Sequence, residues 1–425
     1  MQPYKGSRDF YPEDKRIFDW IFSQIRSVAQ SHGFEEYDGP LLEPFELYEA
    51  KSGSELVNDQ LYWFVDRGDR KVAIRPEMTP TLARMVAGRL QELAKPIRWI
   101  SVPNVWRYER PQKGRLREHW QANIDILGGT GPLADVEILN VLLGIFEKFG
   151  AQSSVSIRIN NRKLMDFFFN EVLHAETEQK APLARLIDAK AKLKPEIFEE
   201  GLKKLGLDDE KIKSIYRFFD SDLESVQKNY DCDGARELAH LFSVLQKSKS
   251  QSGPLPFVFD PSLMRGLDYY TATVFEAFDT SGENPRALCG GGRYDNLIGL
   301  FSNQKLSGVG FGLGDVTLRD FLESHKKIPL LAKVPEIFVG LHRDEDYALC
   351  EKIAGELRSF GHKVVTPLNV DGFGTQIKEA LKCGAQFVVL LGETEIKQGQ
   401  VLVKDLARNI QEVVEIGDLK NFFSK

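Results

Sequence analysis

The 425-residue chain is 42% hydrophobic and 28% charged, ordinary values for a soluble protein, and is long enough for two or three domains with separate cores. No apolar run has the length to cross a bilayer, and Lys5, Arg8, Asp9 and Glu13 occupy the place of a secretory apolar stretch, so a cytoplasmic protein without a membrane partner is expected. A net charge of −6 argues against bulk attraction to nucleic acid, though not against local basic patches; four dispersed cysteines (Cys232, Cys289, Cys350, Cys383) argue for buried thiols and against a disulfide framework or zinc cluster.

Pro12, Glu13 and Asp14 suit the first turn of a helix reaching about His32, with Ile17, Trp20, Ile21, Ile25 and Val28 as its core-facing stripe. Gly33 stops it, and residues 34–44 form an extended segment closed by Pro44. A strand over 72–75 meets Pro76, and a helix begins near Pro80 with Thr79 as its N-cap. At that turn Glu77 can hold an amine while the helix start offers N–H groups to an anion; a capped helix with a solvated acid is the plainer alternative.

Residues 99–110 and 118–127 read as the two strands of a long hairpin whose loop, 111–117, is basic. Arg107, Glu109, Gln121, Asn123 and Asp125 share parity along their strands, which places polar groups on one face. So many polar groups on one strand face do not suit a core, and an Arg fork is well shaped for phosphate. A buried helix follows over 134–149 and a short strand over 155–159. Residues 164–252 then read as an all-helical insertion rich in Lys and Glu.

Strand patterning resumes at 256–260 and leads to Arg265, Gly266 and a strand over 269–276. Alternation places Tyr269, Thr271, Thr273 and Phe275 on one face and Tyr270, Ala272, Val274 and Glu276 on the other. The hydroxyls suit a lined pocket with an Arg at its mouth, and equally a half-buried edge strand. Two glycine-rich stretches, 287–295 and 307–315, let backbone lie against a flat or phosphorylated ligand, with turns as the ordinary explanation. Beyond a helix over 316–322 and a linker over 329–335, strands at 336–341, 363–366, 387–391 and 400–403 alternate with helical patterns. This C-terminal α/β domain has no acid, base or nucleophile cluster, which suits a binding module.

Several of these stretches together resemble one family. Arg-Gly-Leu-Asp-Tyr-Tyr from Arg265, followed by Thr-Val-Phe-Glu, is similar to the histidine-specific signature of histidyl-tRNA synthetases, and Gly-Gly-Arg-Tyr-Asp from Gly291 to their second. Arg-Tyr-Glu-Arg-Pro-Gln-Lys-Gly-Arg from Arg107 resembles motif 2 of class II aminoacyl-tRNA synthetases, 33–44 resembles motif 1, and 391–406 resembles the family's anticodon-binding domain.

The resemblance implies an α+β catalytic domain in which helices flank an antiparallel β-sheet. Its first part would be 1–163 and its second 253–328, divided by a helical insertion at 164–252 and followed by an anticodon-binding domain at 333–425. It implies a homodimer built through motif 1, ATP and Mg²⁺ as cofactors, and histidine and tRNA(His) as partners. Histidine and ATP would give histidyl-adenylate and pyrophosphate, and the histidyl group would pass to the 3′ end of the tRNA.

By matching position, Arg107 and Arg265 would hold the α-phosphate and Glu109 the adenine amine. Glu77 and Asp125, with Thr79 and Gln121 nearby, would take the α-ammonium, and Tyr269, Tyr270 and Tyr294 would frame the imidazole. Arg115 would meet ATP, and Arg110 and Gln112 the acceptor stem; no residue is assigned to a metal. Two positions depart from the pattern. Thr317 stands where the family carries an ATP-binding Arg in motif 3, and Arg319, about 200° around the helix, cannot replace it. Asp125 stands where many relatives carry Glu. A missing cation suits a second possibility, a histidine-binding paralogue such as the regulatory subunit of ATP phosphoribosyltransferase, although such subunits generally lack an anticodon module.

Overall fold

The computed structural model describes residues 1–49, 59–190, 193–248, 255–264, 269–284, 286–302, 304–333 and 335–424, so Arg265 lies outside the described residues. The chain forms two compact units, Met1–Pro329 and Leu330–Lys425.

The first unit opens with helix α1 (Pro12–Ser31), which starts on a proline, carries acids in its first turn and buries Ile21, Phe22, Ile25 and Val28. Short strands β1 (Glu35–Glu36) and β2 (Leu42–Pro44) follow, then helix α2 (Glu46–Glu49) and strands β3 (Tyr62–Val65) and β4 (Lys71–Ile74). Strands β2, β4 and β3, in that order, make a small antiparallel sheet. Helix α3 (Thr79–Gly88) is preceded by Met78 in helical geometry. Thr79 is therefore the first helical residue and not the N-cap; no side chain caps this end, and Pro80 in the first turn removes one of its free N–H groups.

Strands β5 (Ile97–Ser101), β6 (Asn104–Trp106) and β7 (Glu118–Leu127) come next. The expected strand over 99–110 is thus interrupted, since Pro103 has no N–H for the ladder, and it ends before Arg107. After α4 (Pro132–Lys148) and β8 (Val155–Asn161) come the α-helices α5 (Arg162–Phe167), α6 (Thr177–Ala189), α7 (Pro195–Lys204), α8 (Asp209–Phe219), α9 (Leu223–Asn229) and α10 (Asp233–Ser248). The unit closes with β9 (Phe257–Phe259), β10 (Thr273–Asp279), β11 (Cys289–Arg293), β12 (Gly308–Gly314) and α11 (Asp315–Ser324).

The large sheet runs β1-β5-β7-β12-β11-β10-β8-β9, with β6 added on β7. It is antiparallel through its centre and parallel at its β1–β5 and β8–β9 edges. One face packs on α1, α4 and α11, and Leu183, Phe198, Ile215 and Phe218 of the inserted helices belong to the same continuous core. Along β7, Ala122, Ile124 and Ile126 enter that core, as do Val309, Phe311 and Leu313 of β12. The alternate residues face the other way, toward the cleft.

Two further expectations are corrected. Strand β10 begins at Thr273, because Thr271 leaves the ladder: its N–H still reaches Arg293 O at 2.8 Å, but its hydroxyl turns to Asp295 at 2.8 Å. The glycine-rich stretches are strands β11 and β12, not turns. Their glycines serve close packing: a Cβ on Gly310 would overlap the Asp125 carboxylate, and one on Gly312 the Gln121 amide.

The second unit contains β13 (Ile337–Leu341), α12 (Tyr347–Ser359), β14 (Val364–Val365), α13 (Phe373–Cys383), β15 (Phe387–Leu391), α14 (Glu393–Lys397), β16 (Gln400–Asp405), β17 (Ile410–Glu415) and α15 (Leu419–Phe423). Its sheet, β14-β13-β15-β16-β17, is parallel over the first three strands and antiparallel over the last two. The sequence reading lacked β17, an edge strand whose only buried residue is Val414. Cys232, Cys289 and Cys350 are buried, but Cys383, in the last turn of α13, is only half-buried.

Candidate active site

A cleft of about 840 Å³ opens on the sheet face opposite the main core. Its floor is made by Gln121, Asn123 and Asp125 of β7 beside Gly310, Gly312 and Gly314 of β12. The register sets Asp125 opposite Gly310 and Gln121 opposite Gly314, so bare backbone lies where side chains would fill the space. Glu77 and Thr79 enter from the β4–α3 turn, Tyr269 and Tyr270 from the segment before β10, and Tyr294 from the end of β11. Tyr269 and Tyr270 both line the cleft, whereas strand alternation had put them on opposite faces.

The closed end is acidic. Glu77 and Asp125 are each only 4% exposed. Tyr294 Oη donates to Asp125 Oδ1 at 2.6 Å, and Tyr269 Oη donates to Glu77 Oε2 at 3.2 Å. The Tyr269 and Tyr294 rings meet edge to face, 6.2 Å between centroids. Burial pushes the Asp125 carboxyl up to about 7, with the Tyr294 hydroxyl pulling the other way. Burial, followed by the Asp125 charge, holds the Tyr294 phenol well above its ordinary value. Gln121 Oε1 is buried without a hydrogen-bond partner among the described residues, an acceptor facing the cleft.

The mouth is cationic. Arg107 and Glu109 lie beyond β6, so the hairpin loop and not strand parity brings them in. Arg107 Nε donates to Pro76 O at 3.0 Å, which fixes the guanidinium over the Glu77 turn. Glu109 pairs with Arg115 at 2.8 Å, so its carboxylate must exchange this partner before it can accept from an adenine amine. Gln112 and Arg115 line the cleft, while Arg110 is exposed and outside its lining. Burial and then Arg107, Arg8 and Arg115 push His119 down to about 3, keeping it neutral beside these cations.

A search with family models matches residues 6–316 to "Histidyl-tRNA synthetase" and residues 333–425 to "Anticodon binding domain". The histidine–tRNA ligase of Leptospira biflexa is 44% identical over 96% of this chain and 94% of its own length. The chain belongs to the histidyl-tRNA synthetase family. The histidine–tRNA ligase of Thermoplasma volcanium is 39% identical over 100% of this chain and 99% of its own. Among solved structures, the histidyl-tRNA synthetase of Nostoc sp. PCC 7120 superposes with a TM-score of 0.84 at 26% identity, covering 100% of this chain and 98% of that one. These full-length matches, with the anticodon-type second unit, favour a synthetase over the regulatory-subunit alternative.

The family's second histidine signature has a part that the sequence reading did not assign. Arg293 is buried and reaches Asp135 Oδ1 at 2.7 Å, Gly129 O at 3.1 Å and Gly131 O at 2.8 Å. Thr273 donates to the other Asp135 oxygen at 2.9 Å, joining α4 to β10 as well. Tyr294 is thereby anchored through its neighbour, with its hydroxyl aimed at Asp125. Arg286, His119 and Glu276 also line the cleft without having been assigned.

Proposed function

We propose that the chain activates histidine with ATP and transfers the histidyl group to tRNA(His). The observation that carries this reading is the polarity of the cleft: acceptors (Glu77, Asp125, Gln121 Oε1) at the closed end and arginines at the mouth. That is the arrangement a zwitterionic amino acid and a polyphosphate require if they are to meet between the two. Histidine enters with its cationic and N–H groups toward Glu77, Asp125, Gln121 and Thr79, framed by Tyr269, Tyr270 and Tyr294. Its carboxylate then points outward, toward Arg107.

In the first step the histidine carboxylate oxygen forms a bond to the α-phosphorus, the bond from that phosphorus to the bridging oxygen breaks, and pyrophosphate leaves. Two anions approach each other, so Arg107 and, by its match to the family signature, Arg265 lower the barrier by neutralising charge and fixing the line of attack. In the second step the terminal ribose hydroxyl of the tRNA attacks the histidyl carbonyl and AMP leaves. Arg110 and Gln112, on the loop, are read as contacts of the acceptor stem, and the second unit as the reader of the anticodon.

Among the described residues no group of three His, Cys, Asp or Glu side chains is arranged to hold a metal. Mg²⁺ is read as arriving with the ATP phosphates on the ground of its own chemistry, its preference for phosphate oxygens and retained water. A cytoplasmic homodimer completes the reading. Leu41, Leu42, Trp63, Phe64 and Val65, on and beside the β2-β4-β3 sheet, are exposed apolar residues that a second copy would cover.

Histidine-dependent exchange of pyrophosphate into ATP tests the reaction. Exchange that requires histidine is the expected result; none at high enzyme concentration, with histidine still bound, overturns it in favour of a histidine-binding regulator.

A further inference from the structure

The mouth of the cleft carries a cation that no sequence motif marks. Arg286 lies half-buried in the segment that enters β11, across from the tip of the hairpin loop. A Cβ built on Gly114 would stand 3.1 Å from Arg286 Cδ and 3.6 Å from Thr317 Cγ2. Loop tip, arginine stem and threonine therefore meet in one place, and the φ of +73° at Gly114 suits a residue without a side chain there. Thr317 Oγ1 donates to Leu288 O at 3.3 Å, tying the first turn of α11 to the segment that carries Arg286.

Three of the neighbouring cations are engaged elsewhere. Arg319 pairs with Asp14 and with Glu323, each at 2.7 Å. Arg115 pairs with Glu109 and Arg8 with Asp315. Arg286 has no ion pair among the described residues. Burial and the nearby Arg115 charge push its guanidinium below the ordinary value, a repulsion that a bound polyanion would relieve.

We infer that Arg286 binds the terminal phosphates of ATP and supplies, from the β10–β11 connection, the charge that Thr317 does not. The inference rests on the ATP-dependent reading above and assigns to that site a cation reached through the fold and not through motif 3. The planar guanidinium can take two phosphate oxygens at once.

The test is calorimetric titration of the full chain with ATP and, separately, with AMP, which lacks the terminal phosphates. Arg286→Ala is expected to weaken ATP about tenfold or more while AMP stays within about twofold, and a second change, Thr317→Arg, is expected to return most of the lost ATP affinity. Arg286→Gln, which keeps part of the stem and a polar end without the charge, replaces the alanine variant if that one does not fold. Unchanged ATP affinity, or equal weakening of ATP and AMP, overturns the assignment; weakened tRNA binding with normal ATP binding overturns it too and makes Arg286 an RNA contact. Histidine-dependent exchange by the unaltered chain is read separately, so failure of the synthetase reading and failure of the Arg286 assignment are distinct results.

Discussion

Asp125→Asn separates what this carboxylate does for the fold from what it does for a ligand. Burial raises its carboxyl from 3.8 to about 7, so the folded state keeps a proton that the unfolded chain releases as pH climbs between those values. The sign is unfavourable: below pH 3.8 the group costs nothing, and stability falls as pH rises until the folded carboxyl itself ionises near 7. Integrated over that window, the loss is on the order of 4 kcal/mol at neutral pH. Asparagine cannot ionise, and its side-chain oxygen can still accept from Tyr294. The variant is therefore expected to exceed the parent in stability by a few kcal/mol at pH 8 and by little at pH 4. All five tryptophans, Trp20, Trp63, Trp99, Trp106 and Trp120, lie in the first unit, so urea unfolding followed by tryptophan fluorescence reads the right transition. Histidine binding should move oppositely: the parent's affinity rises as Asp125 ionises through neutral pH, and the variant's affinity is lower and lacks that component. An equal stability gain at both pH values, or none at pH 8, refutes the account of a buried acid kept for its ligand.

Gly310→Ala places a methyl group against the Asp125 carboxylate and Ile124 O; overpacking of about 1–3 kcal/mol and a histidine Kd raised more than tenfold are expected by unfolding and titration. Arg265→Ala is expected to abolish adenylate formation in pyrophosphate exchange while histidine affinity stays within about tenfold, or about 1.4 kcal/mol. Near-normal exchange would show that its phosphate role is wrong. Removal of the second unit beyond Ala332 should leave measurable exchange and greatly weaken tRNA charging; unchanged charging would rule out an anticodon role for that unit.

What the sequence made legible follows the range over which each signal acts. The alternation in β7 is local, so Gln121, Asn123 and Asp125 were read onto one face, and the structure places them on the cleft floor. Helices α1 and α4 were equally readable from their apolar stripes. The parity argument failed one strand earlier, where Pro103 breaks the ladder and Arg107 and Glu109 depend on a loop. It failed again at Tyr269 and Tyr270, where Asp295 draws Thr271 out of the strand. At Thr271 the deciding contact is distant in sequence, whereas at Pro103 the deciding residue lies within the strand itself.

The glycines show the same limit in a form that bears on function. Read along the chain, Gly-rich β11 and β12 look like turns, because nothing nearby explains the absence of side chains. Across the sheet the explanation is immediate: Gly310 and Gly312 are empty so that Asp125 and Gln121 can lie over them. Gly114 is empty where Arg286 and Thr317 close on the loop. A glycine thus marks the volume that a side chain occupies from elsewhere, as the Arg286 stem does beside Gly114. A cation missing from one motif is for this reason weak evidence against catalysis: the charge belongs to a place in the cleft, and any strand or loop that reaches the place can supply it.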